Sequence, residues 1–76
     1  MAVSVGSVEA KARLGRNIAA ERQRLGLTQE DLAHAAGMHP VEISRAERGV
    51  RDLRLSTIVK VARGLGVPAM DLLRGV

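Results

Sequence analysis

The sequence predicts a compact all-α domain of five helices. Apolar residues recur at intervals of three and four through most of the 76 residues, and no segment alternates apolar with polar positions as a strand would. Glycine and proline fall between these stretches, where helices stop and start.

Taken in order, residues 1–6 read as a flexible N-terminal tail, and the domain proper is expected over 7–76. Ser7 is a candidate cap for a first helix in which Leu14, Ile18, Arg22 and Leu25 share a stripe, ended by Gly26. Thr28 then suits the N-cap of a second helix over about 29–36, with Asp31 at the capping-box position in a shorter form than Glu. Glu30 and Asp31 suit the positive end of its dipole, and Gly37 is a natural left-handed cap at its other end. Pro40 fits the first position of a third helix, which runs to about Arg48 and is closed by Gly49. After the loop VRDLR, a fourth helix over about 55–65 carries Leu55, Ile58, Val61, Ala62 and Leu65. Pro68 opens a last short helix containing Leu72 and Leu73.

The third helix raises a question of charge. Ile43, Ala46, Glu47 and Val50 share one face, while Val41, Ser44, Arg45 and Arg48 share the opposite one. The first set reads as the core face and places Glu47 inside. Arg22 interrupts the apolar stripe of the first helix in the same way. Either the two charges pair, or each lies at the edge of its stripe and reaches water separately. Pairing is the expectation, because a buried carboxylate without a partner protonates or destabilises the fold.

Composition excludes several classes of function. Without cysteine there is neither a disulfide framework nor a thiolate metal site, and without Phe, Tyr or Trp there is no stacking platform for single strands. His34 and His39 fall on different elements, His34 exposed on the second helix, so no metal-binding pair is expected. No phosphate loop or nucleophile motif occurs, so no enzyme and no cofactor are expected. The start lacks the pattern of a signal peptide, and no run is long enough to span a membrane, which predicts a cytoplasmic protein. The basic fourth helix (Lys60, Arg63) needs its apolar face for the core, which argues against attachment to a membrane surface.

The second and third helices, joined by a tight glycine-containing turn, form a helix-turn-helix over about 28–48 whose second helix offers a polar face. Arg can place two donors on guanine, Val can touch a thymine methyl, and Ser can reach phosphate or a base edge. The bland alternative is a solvated face with two ordinary arginines. The segments IAAERQRLGLTQEDLAHAAGMHPVEISRAERG and LSTIVKVARGLGVPAMDLL closely resemble the lambda-repressor-like, Cro-type domains, also called the xenobiotic-response-element family. The resemblance spans about residues 13–73. It implies five packed helices with the third in the major groove of double-stranded DNA.

By the same resemblance, base-edge readers fall at His39, Pro40, Val41, Ser44 and Arg45. The family often has Gln, Ser or Thr where Pro40 and Val41 stand, so methyl contact or shape readout must replace hydrogen bonds there, and Arg45 leads the reading. Gln29 matches a phosphate-binding position beside the capping Thr28, and the N-terminus of the second helix supports an anion there independently. Arg48, Arg51 and Arg54 surround the end of the reading helix as phosphate clamps; Arg51 and Arg54 serve equally well as solvated loop charges. The Arg22–Glu47 pair recurs in the family.

The formal charge is +4, yet residues 37–54 carry a net of only +1, and the surplus lies in the first helix. Affinity for one half-site should therefore be modest and salt-dependent, which favours a homodimer reading a palindrome. Val67, Met70, Leu73 and Val76 are candidates for the dimer contact, although Leu73 with Leu72 also suits the monomer's own core. With no ligand-sensing domain after Val76, no small-molecule ligand is expected. Regulation should come from protein concentration, dimerisation or a partner. A small autoregulatory factor of this kind, repressor or activator, is similar to restriction–modification controller proteins and phage-type repressors. The rival reading is a protein-binding module, such as the antitoxin of a toxin–antitoxin pair, whose helices meet a protein instead of DNA.

Overall fold

The computed structural model describes residues 3–76, with side chains from Ser7 onward. Among the described residues there are five helices and no strand: α1 (Val3–Arg24), α2 (Gln29–Ala36), α3 (Pro40–Glu47), α4 (Leu55–Leu65) and α5 (Ala69–Leu72). Among the described residues no helix is long and apolar enough to cross a membrane.

The helices end where local chemistry ends them. Thr28 N–H donates to Asp31 Oδ2 and Asp31 N–H donates to Thr28 Oγ1, both at 2.9 Å, so the expected capping box is present. Gly37 closes α2 in the left-handed region. Pro40 stands at the start of α3, and α4 spans its expected range. The first helix differs. It begins at Val3, so Ser7 lies inside it rather than capping it, and residues 3–6 are helical rather than a loose tail. Met1 and Ala2 of that tail lie outside the described residues.

The packing is a hub. α1 touches α3, α4 and α5, while α2 packs against α3 and α4. Ile18, Leu32, Ile43, Val61 and Leu72 are fully enclosed at the centre. At about 1.5–3 kcal/mol for each large aliphatic chain, this aliphatic cluster is the main support of a domain with no aromatic residue. Gly15 sets how closely α1 meets α3. A Cβ there would stand 2.5 Å from the carbonyl oxygens of both Ala46 and Glu47. Asn17 ties the last helix down by donating from Nδ2 to the carbonyls of Leu72, at 2.8 Å, and Arg74, at 2.9 Å.

Four apolar residues leave the stripes to which periodicity assigns them. Leu25 and Val50 are exposed, Val50 by 61%. α1 stops at Arg24 and α3 at Glu47, and helical spacing assigns a face only while the helix continues. Leu55, in the first turn of α4, faces solvent too. Leu73 lies just beyond α5 and is partly exposed, so Leu72 alone closes the core there.

Candidate nucleic-acid interface

The site is built on α3, and its rear is fixed by charge. Arg22 Nε donates to Glu47 Oε2 at 2.6 Å and Arg22 Nη2 donates to Glu47 Oε1 at 3.1 Å, a two-pronged pair of the geometry that Arg makes best. The side chains are only 13% and 7% exposed. Arg22 Nη1 also donates to the Leu27 carbonyl at 2.8 Å, so one guanidinium joins α1, the turn before α2, and α3. Hydrogen bonding to Glu47 raises the Arg22 pKa above its ordinary value, against the opposing effect of burial. The charge in the core face thus has its partner.

Gln29 is drawn into the same network. Its Nε2 donates to Glu47 Oε1 at 3.0 Å, and the residue is half-buried. Spacing alone gave no sign of this contact: the side chain is neither a free surface residue nor wholly available to a phosphate. One N–H of its amide is committed to Glu47, and the amide carries a second. Thr28 is exposed, its hydroxyl oxygen holding the cap. Two hydrogen bonds from Thr28, the backbone one first, hold the Asp31 carboxyl below its ordinary pKa.

The front of α3 faces outward. His39, Val41, Arg45 and Arg48 are exposed, and Pro40 and Ser44 are partly so. Among the described residues Arg45 enters no ion pair or side-chain hydrogen bond, so its guanidinium is uncommitted. Arg48 Nε turns back to the Ser44 carbonyl at 3.4 Å, a weak contact on an exposed side chain. His39 caps the helix. Its Nδ1 accepts from Val41 N–H at 3.3 Å, and its own N–H donates to Glu42 Oε1 at 2.9 Å.

Beyond α3 the chain must turn sharply. Gly49 has φ +71, and a Cβ on it would lie 2.8 Å from Ala12 Cα, so both conformation and space exclude a larger residue. The loop that follows brings Arg51 and Arg54 to a cleft of about 220 Å³ shared with Met38, Glu42, Asp52 and Thr57. The cleft is of mixed charge, and both arginines are exposed. His34 is exposed on α2, away from His39 in the chain and on another element. Among the described residues no cluster of three or more His, Cys, Asp or Glu is gathered to hold a metal ion.

At the far end, Val67 packs against the core, whereas Met70 is 73% exposed and Leu73 and Val76 are also accessible. Of the four residues considered for a contact between subunits, these three remain open.

A family model described as Helix-turn-helix matches residues 18–72. The control protein C.BamHI of Bacillus amyloliquefaciens is 43% identical over 47 residues, covering 62% of this chain and 58% of that protein. The control protein C.SmaI of Serratia marcescens is 33% identical over 66 residues, covering 87% of this chain and 79% of that one. Among solved structures, the restriction-modification controller protein C.AhdI from Aeromonas hydrophila matches with a TM-score of 0.78 at 31% identity, over 80% of this chain and 92% of that chain.

Proposed function

The chain belongs to this helix-turn-helix family, and from that premise we propose that it is a sequence-specific regulator of transcription that binds double-stranded DNA. The observation that carries the reading is the two-sided character of α3. Its inner face is anchored by the Arg22–Glu47 pair, and its outer face presents His39, Val41, Ser44 and Arg45 without a large hydrophobic residue to bury. In this reading α3 enters the major groove, which admits an α-helix and displays a distinct pattern for each base pair. Arg45 places paired donors on guanine, while Pro40 and Val41 contribute shape and methyl contact. Arg48, Arg51 and Arg54 approach phosphates at one end. At the other, Thr28 and the second N–H of Gln29 do so beside the N-terminus of α2, whose first-turn N–H groups favour an anion.

The protein acts as a homodimer on a palindromic operator, with Met70, Leu73 and Val76 in the contact between subunits. A small net charge on the reading segment supports this, since one half-site offers few cation–phosphate contacts. The relatives named as control proteins support an autoregulatory role beside a restriction–modification system, exercised in the cytoplasm.

Selection of binding sites from a random duplex pool tests the reading. A palindrome whose binding weakens steeply with salt, and which Arg45→Ala binds less well, is the expected result. Retention of no duplex at low ionic strength, together with tight association with a protein that survives Arg45→Ala, would replace it with the protein-binding alternative.

A further inference from the structure

The residue that caps the reading helix is an unusual choice. N-caps are mostly Ser, Thr, Asp or Asn, whose short side chains reach the first N–H groups. Here the position is held by His39. Because Pro40 has no N–H, the first donor of α3 is Val41 N–H, and His39 Nδ1 accepts from it. A ring nitrogen that accepts carries no proton, so in the neutral ring the proton must sit on the other nitrogen, Nε2. The cap therefore selects a tautomer. It leaves an N–H on the far side of an exposed ring, at the leading end of the helix.

The rest of that first turn has no other side-chain donor. Pro40 and Val41 are apolar, and Glu42 can only accept and is already engaged with the His39 backbone N–H. The next donors along the outer face are Ser44 and Arg45.

Resting on the DNA-binding reading above, we propose that His39 is a specificity-determining residue whose ring is locked by its capping bond into the Nε2–H tautomer. It reads DNA as a donor only. Its target is an acceptor on a base edge: a purine N7 or a keto oxygen of guanine or thymine. The exocyclic amino groups of adenine and cytosine offer it nothing in the groove, because a donor cannot receive a donor.

The test has two arms on the full chain. Nitrogen-15 correlation spectra of the free protein at about pH 8.5, where an ordinary imidazole is neutral, report the tautomer, with the exposed His34 as internal reference. A His39 ring more completely Nε2-protonated than His34 is expected, and equal mixing or the opposite tautomer overturns the lock. The second arm compares wild type with His39→Ser on the site that wild type selects. Serine restores the cap, but its hydroxyl, carried on Cβ, stops short of where the ring presents Nε2–H, so an unchanged melting temperature with binding about three- to tenfold weaker is expected, the usual worth of one hydrogen bond. Loss confined to sites with one particular base pair identifies a base edge and supports the proposal; uniform loss across sequences identifies a phosphate contact, which carries no sequence information, and overturns it. Equal binding by wild type and His39→Ser overturns it while leaving the DNA-binding reading intact. Failure of the wild type itself to select any duplex overturns both.

Discussion

Arg22 and Glu47, 25 positions apart in the chain, meet through two hydrogen bonds of 2.6 and 3.1 Å with little solvent on either side chain. Their pairing makes a charge tolerable in the core face of α3. Removing one partner strands the other, so Arg22→Ala and Glu47→Ala should each lose about 3–5 kcal/mol. The double replacement Arg22→Met with Glu47→Leu should cost far less, because no unpaired charge remains. Urea unfolding of the three variants checks this; equal losses in all three would mean that packing, not charge, dominates the site.

Gln29 links that pair to the proposed phosphate contact. Gln29→Ala should weaken duplex binding while lowering stability by only about 1 kcal/mol, the net worth of one hydrogen bond. Binding titrations beside thermal melts separate the two effects, and an unchanged affinity would confine Gln29 to a structural role.

Close approach of α1 and α3 makes a second stability prediction. Gly15→Ala would set a Cβ 2.5 Å from two backbone carbonyl oxygens that cannot swing away, whereas Gly64→Ala meets Ala36 and Leu32 at 3.1–3.2 Å. Overpacking should cost Gly15→Ala about 1–3 kcal/mol or more. For Gly64→Ala, a strain of similar origin is offset by about 1 kcal/mol of helix propensity, leaving it near wild type. Denaturant midpoints of the pair give the comparison directly.

Arg45 is exposed and uncommitted, so its truncation should leave the melting temperature unchanged. On the selected operator, Arg45→Ala should bind about 1–3 kcal/mol more weakly and tolerate more substitutions at one base pair. A uniform loss across all sequences would reassign it to the backbone.

The second helix predicts an acid-sensitive component of stability. Hydrogen bonds from Thr28 lower the Asp31 pKa in the folded state, so the folded protein binds that proton less readily than the unfolded chain does. The contribution is complete above the unfolded value, about 3.9, and is lost as pH falls through the lower folded one. The stability gap between wild type and Asp31→Ala should thus be constant near neutrality and shrink below about pH 4. Equilibrium unfolding measured across that range reads the gap; a gap independent of pH would remove the carboxylate from the cap.

Read alone, the chain was legible wherever the cause lies within a turn or two of the residue. Thr28, Asp31 and Gly37 bound α2, and Pro40 opens α3, because caps and breakers act on their immediate neighbours. Even the Arg22–Glu47 pair could be inferred, since two opposite charges in two apolar stripes leave few other solutions. The tertiary structure alone decided what depends on how helices meet. Gly15 reads as a weak helix residue until α3 is laid against it, and Asn17 has no visible purpose until the end of α5 arrives beside it. The inward turn of Gln29 and the exposure of Leu25, Val50 and Leu55 belong to the same class. Periodicity reports a direction around one helix axis, whereas distance, and with it burial, is a property of two.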